Sequence, residues 1–594
     1  MKNKIINSLL IAIGTSCLLA GCKDSDYDFD KIDYTLGFGS ERLSLPDGNS
    51  TAEIILDDLL DIDGTDLISS TETGDYVFGK DPSSVSPEIV KVNPITLLNR
   101  RHDGSSVTLP VPQSVQALTG QELDVTALGM ETSGRIAVFD YSFRSPEAIR
   151  SLEHIGISDD QQGTDVTLQL TMPAAVLSFA YIEIDLPDNL ELTPPAQDAN
   201  TTFDASRNVL RITDWSSTGN ANRLTQTFRL TGVKTGRLSD DDYALLQDGY
   251  FQLKGTVGLS AKVARLRVPA TSEVQLAGTI DLGNLNITSA RGVFDPDINL
   301  NTAGDVSITS LPDFLTDEKV VADIDNPQIW LTLHSTIPLN ATLNVLLRSD
   351  TYPSGITFDT PGRSINLKAS ADGASETDTK VLFCRYNPGV DPGEYQVIED
   401  ENLSKLVTTL REGMKVEFVV TEAKAVQETG TVLLGHDYHV TPEYRFTAPL
   451  AFGPNAVIVY NKNFDGWNKD IDKLTLTPGA YIHMKGNAVN QIPADLEAEV
   501  TPIDVNGQPL NDVKVELIQK DIRGTATGTA VSPLELKLKD LSGEGIKKLD
   551  GVALKMKAAS NEQLRGVTLN KTKQTLILKD ISIELTGKVA YDAN

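Results

Sequence analysis

The chain has 594 residues, with 82 acids against 52 bases, a formal net charge of −30 and an isoelectric point near 4.6. Apolar residues make up 40%, and 44 glycines stand among 28 prolines, which excludes a long disordered chain and calls for several folded modules, about three to five by size. A surface this acidic repels nucleic acid and anionic membrane surfaces, which argues against both as partners.

The N-terminus reads as an export leader. Lys2 and Lys4 precede an apolar run, Ile5 to Ala20, that is short and broken by Asn7, Gly14 and Ser16. It suits a signal peptide better than a membrane span. The run ends in Leu19-Ala20-Gly21-Cys22, which resembles a bacterial lipobox. The resemblance implies cleavage after residue 21 and a Cys22 carrying fatty acyl chains, palmitate among them, as a stable anchor. The alternative is an ordinary secretory peptide with an incidental cysteine. Lys23, Asp24, Asp26 and Asp28 come next in an acidic tether, residues 22–33. This stretch resembles the signal by which Bacteroidetes send lipoproteins to the outer face of the outer membrane. It departs from the usual contiguous acids, because Ser25, Tyr27 and Phe29 alternate with them. The plainer reading is a solvated acidic spacer. Loss of the leader takes the net charge from −30 to −32, since Lys2 and Lys4 leave with it. Cys17 leaves too. Only Cys384 then remains as a thiol, inside Val381-Leu382-Phe383-Cys384, where it reads as a buried strand residue and not a nucleophile.

Strict alternation of apolar and polar residues dominates the rest of the chain, the mark of half-buried strands. Within a first β module, 34–130, Leu67 to Thr71 and Asp75 to Phe78 flank Glu72-Thr73-Gly74 as a hairpin. Asp57, Asp58, Asp61, Asp63 and Asp66 form the densest acidic group. Asp61, Asp63 and Asp66 around Gly64 faintly suggest a Ca2+ loop, although the full EF-hand order is missing. Helix capping by Asp57 and Asp58, with solvated charge, is the competing account. A β-sandwich module with short helices is expected over 131–284. Ser145-Pro146 predicts one helix with Ile149, Leu152 and Ile155 as its stripe, and Ser239 with Asp242 predicts another, stopping at Gly249. Val166, Leu168, Leu170 and Met172 alternate as a strand. Trp215, in a polar setting beside Asp214, is a candidate ligand platform; the alternative is that it caps a core.

A third module, 285–472, carries Ile329, Leu331 and Leu333, then Leu339 to Leu347, in alternation. Leu403, Leu406, Val407 and Leu410 predict a short helix stopping at Gly413. His436 and His439 are the only close histidines, and their spacing puts them on opposite faces of a strand. Trp467, in Phe464-Asp465-Gly466-Trp467-Asn468, is the stronger candidate for stacking on a sugar, against the alternative of an interdomain joint. The final module, 473–594, reads as a two-sheet sandwich of at least six strands. The fold class is therefore all-β: tandem β-sandwich (Ig-like) modules with a few short crossover helices.

Gly292-Val293-Phe294-Asp295-Pro296, Leu311-Pro312-Asp313-Phe314-Leu315, Asp325-Asn326-Pro327 and Ala448 to Gly453 resemble surface lipoproteins of gut Bacteroidetes. That resemblance covers about half the chain and implies a surface location. It brings no activity and no site residues to carry over. Hydrolase elbows, Walker loops, dinucleotide fingerprints and zinc motifs are absent from the sequence. No cofactor is expected and no enzyme. The leading expectation is a non-catalytic binding role, in adhesion or as an accessory subunit beside an outer-membrane protein. A glycan-binding lipoprotein of a polysaccharide-uptake system and a carboxylate-dependent hydrolase are the alternatives.

Overall fold

The computed structural model describes residues 36–591, apart from 39–42, 45–47, 51–53, 61, 63–66, 85, 98–103, 158–162, 196, 218–221, 297, 299–302, 308–310, 316–318, 352–355, 409–413, 467, 469–473, 477 and 588. The leader, Cys22, Lys23, Asp24, Asp26 and Asp28 lie outside the described residues, as do Asp61, Asp63, Asp66 and Trp467.

The protein is all-β, and its sheets pair into sandwiches. The alternation seen in the sequence is the cause. In Thr164–Thr171, Val166, Leu168 and Leu170 turn inward and are at most 2% exposed. Each such side chain contributes roughly 1.5–3 kcal/mol when fully buried. The strand Tyr250–Arg267 alternates over 18 residues. It is long enough to pair with Glu131–Arg144 and Glu122–Asp124, and also with Tyr243–Gln247 and Val176–Asp185. That sheet faces a second one, ordered around Ile149–Ile157, Arg223–Lys234 and Thr164–Thr171, over a shared core that includes Phe139, Phe179, Phe228 and Phe251.

A second sandwich combines the sheet around Gln328–Ser335 with the sheet around Ala341–Thr351. A third is built on Thr575–Thr586 and Tyr481–Asn490, opposed by Gly551–Ala559 and Asp495–Ile503. The core of the second sandwich runs on into the third, for Leu496, Met556 and Leu576 belong to the same cluster as Leu331 and Phe383.

Residues 34–130 do not form the separate module expected of them. Leu43–Ser44, Gly48–Ser50 and Ile54–Ile55 pair with Thr575–Thr586 near the other end of the chain. Ile68–Ser70 and Tyr76–Ser84 form the expected hairpin, but it adds to the Asp437–Pro449 strand. Ser106–Pro110 joins Glu273–Asp281. The chain therefore runs outward through all three sandwiches and returns. Strands too short to stand alone find their ladders in sheets completed hundreds of residues later.

Two expected helices are strands. Ile149–Ile157 pairs with Leu285–Phe294, and the register shifts between Ile149 and Ser151 and between Leu152 and His154. Those bulges convert a period of two into the spacing of three that imitates a helix stripe. At Ser239 the expected cap bonds do form: the N–H groups of Asp241 and Asp242 donate to its Oγ at 3.1 and 2.9 Å. They close a turn that feeds Tyr243–Gln247 into a hairpin. Asp248 and Gly249, at φ 53° and 75°, are its two loop residues, the left-handed pair of a type I′ turn. The third expected helix is a 3₁₀ turn, Leu403–Leu406, with Leu403, Leu406 and Val407 buried as expected; Leu410 and Gly413 lie outside the described residues. No helix among the described residues is long and apolar enough to cross a membrane.

Candidate functional site

Ile329, Leu331 and Leu333 point into the core, which commits Trp330, Thr332 and His334 to the opposite face of the Gln328–Ser335 strand. That strand is central, between Thr377–Cys384 and Asp437–Pro449. Its outer face therefore gathers side chains from three strands and the connection after them.

Trp330 sits level with Leu382 on one neighbour and Arg445 on the other. The Arg445 guanidinium lies over the indole, its Cζ 5.3 Å from the ring centre. Tyr395 meets the indole edge-on, with centroids 5.1 Å apart and planes at 88°. This is the favoured T-shaped arrangement of two rings. The indole Nε1 is shut off from solvent and has no hydrogen-bond partner. Beside this group, Lys380 Nζ donates to Glu394 at 3.0 Å and lies 5.5 Å from the Tyr395 ring centre. The Glu394 bond and charge, with Tyr395, raise the Lys380 amine above its ordinary range and keep it charged. One pair further along, His334 Nδ1 is 2.7 Å from Asp378 and its Nε2 is 3.9 Å from Glu443. His439 Nε2 lies 3.0 Å from Glu376. The result is an outer sheet face with an aromatic pair, Trp330 and Tyr395, and donors and acceptors ranged along it toward His334 and His439. Such a face can stack a ring and bond its edges. At its far end the Thr336 hydroxyl, itself buried, lies 3.4 Å from His439 Nδ1.

Trp330 is absent from the sequence candidates. The available signal is its phase: an indole on the polar side of an otherwise clean alternation. Trp215 is half-buried on Val209–Ser216, 5.8 Å from the Phe179 ring centre and packed against the first sandwich's core. Residues on either side of Trp467 are described. The N–H groups of Gly466 and Asn468 donate to the two carboxylate oxygens of Asp550 at 3.1 and 3.0 Å, which ties these two residues to the third sandwich. His436 packs edge-on against Tyr438 at 4.9 Å, apart from the His439 pair. Among the described residues no group of three or more His, Cys, Asp or Glu is arranged to hold a metal ion. Cys384 is fully buried, and burial with the Glu399 charge pushes its thiol up to about 11.

No protein-family profile matches the chain, and no curated protein matches it. Solved structures with some likeness include a protein of Parabacteroides distasonis ATCC 8503 described as secreted. It is 15% identical, with a TM-score of 0.34 over 50% of this chain and 90% of that one. A chain of broad bean stain virus is 9% identical, with a TM-score of 0.12, covering 60% of this chain and 92% of that one. Scores this low carry no argument about family or function.

Proposed function

We propose that this chain is an exported, lipid-anchored binding protein without catalytic activity, held on the outer surface of the outer membrane, and that its ligand is a saccharide. The observation that carries the reading is the position of Trp330. It stands on the outer face of the sheet with Tyr395 and Arg445 against its ring, and Thr332 and His334 follow it along the same face of the strand. A sugar offers an apolar C–H face to an indole and hydroxyls to the groups around it, and this mixture of ring and polar edge suits it. The Leu19-Ala20-Gly21-Cys22 box supports the anchor, and the acidic residues after Cys22 support display at the surface. Saccharide binding is the first alternative read from the sequence, and the Trp330 face favours it over the adhesive or accessory role expected there.

The test is affinity electrophoresis of the purified protein through gels containing single polysaccharides. Retention on at least one polymer is expected, with loss of retention in Trp330→Ala and little change in Trp215→Ala. A wild-type protein that migrates freely through every polymer would overturn the reading. The anchor is tested separately: mass spectrometry should find acyl chains on Cys22, and protease added to intact cells should digest the protein.

A further inference from the structure

The basic side chains of the Trp330 face are unequally partnered. Lys380 is held by Glu394, His334 by Asp378 and His439 by Glu376. Arg445 is exposed, and among the described residues its guanidinium has no carboxylate partner. In a chain with 82 acids, a guanidinium left over an indole without an acid is conspicuous. The indole beneath it is also incomplete, because its Nε1 is sealed from water and has no acceptor. The exposed guanidinium is the donor free to meet an anion. Guanidinium and indole belong to residues paired directly across adjacent strands.

Resting on the saccharide reading above, we propose that the ligand is an acidic saccharide and that Arg445 reads its carboxylate. A guanidinium presents two parallel N–H groups that match the two oxygens of a carboxylate. Drawn toward that group, Arg445 moves off the indole. The sugar ring then takes the uncovered Trp330 face, with Tyr395 as a side wall. Glu443 lies two residues along the same strand on the same face, with its carboxylate 3.9 Å from His334 Nε2. The ligand's charge must therefore approach Arg445 from the side away from Glu443. The surrounding protein field opposes an anion, but screening confines that field to about 8 Å at physiological salt, so the local guanidinium decides. A neutral sugar would leave Arg445 without its anion and the indole covered.

The test compares polygalacturonate with its fully methyl-esterified form, which keeps the backbone and removes the charge, and adds alginate and hyaluronate with dextran as a neutral control. Wild-type protein is expected to be retained by at least one acidic polymer and weakly or not at all by the neutral ones, and added salt should weaken the retention. Arg445→Gln should lower affinity for the acidic polymer by about tenfold or more, and Arg445→Lys should restore part of it. Trp330→Phe, which keeps the packing and removes the N–H, should weaken binding less than Arg445→Gln does. Equal retention by acidic and neutral polymers, or an Arg445→Gln variant that binds as wild type does, would overturn the assignment of Arg445 and leave saccharide binding intact. Free migration through every polymer would overturn both.

Discussion

Arg565 donates from Nε to Asp325 Oδ1 at 2.8 Å, joining residues 240 positions apart between the third sandwich and the second. The Asp325 carboxylate is only 3% exposed. It also accepts from the Tyr386 hydroxyl at 2.7 Å and lies 3.5 Å from Arg385. Asn326 extends the joint, accepting from the N–H groups of Arg385 and Tyr386 and donating to the Tyr386 carbonyl. The Asp325-Asn326-Pro327 segment is thus a polar rivet where two sandwiches meet.

Breaking that rivet from the acid side should be costly. Asp325→Ala strands two guanidiniums and a phenol, and removing one partner of a buried pair typically costs about 3–5 kcal/mol. Arg565→Ala should cost less, because Arg385 and Tyr386 still face the carboxylate. Urea unfolding of the two variants and of the double variant checks this. Additive losses would show that the two groups are not coupled.

The same joint sets an alkaline limit. Tyr386 is 44% exposed, yet its hydroxyl reaches the buried Asp325. Partial burial, then the bond to Asp325 and that group's charge, push the phenol from 10.0 up to about 12. The folded state holds the proton more tightly than the unfolded chain. Its contribution is therefore fully present below pH 10 and lost as pH rises toward 12. Tyr386→Phe should flatten the fall in unfolding midpoint across that window. An unchanged slope would refute the assignment.

Cys384 should be inert in the native protein. With its thiol moved from 9.0 to about 11, the thiolate fraction near neutrality falls about a hundredfold, before any loss of access is counted. A form of the chain beginning at Lys23 has no other cysteine, since the remaining two are Cys17 and Cys22. Alkylation of that form should be slow when folded and complete in denaturant. Fast labelling of the native protein would contradict the burial.

The outward-and-back path predicts that the two ends of the chain stabilise each other. Leu36–Phe38 lies against Val589–Tyr591, and three short strands of the N-terminal region cover Thr575–Thr586. Asn570 adds a side-chain tie, donating to Asp75 at 2.8 Å. Deleting residues 36–60 should leave Thr575–Thr586 with open backbone groups on one side. Hydrogen exchange should rise there and remain low in Tyr250–Arg267.

The composition and alternation of this chain determined by themselves that it is all-β, which residues of Thr164–Thr171, Gln328–Ser335 and Ala341–Thr351 face a core, and that Cys384 is buried. Period-two patterning is a local property, so each strand carries its own faces. The misread helices mark where locality misleads. The bulges at Ile149–His154 exist only because Leu285–Phe294 lies alongside, and a Ser239 cap serves a turn as well as a helix. Tertiary structure alone decided that residues 34–130 are shared among three sandwiches, since a strand's partner is fixed by long-range ladders that no window of sequence contains. It also decided the Trp330 face. Alternation puts the indole on the polar side, but Arg445 and Tyr395 come from 115 and 65 residues away, and only the sheet register sets them beside it.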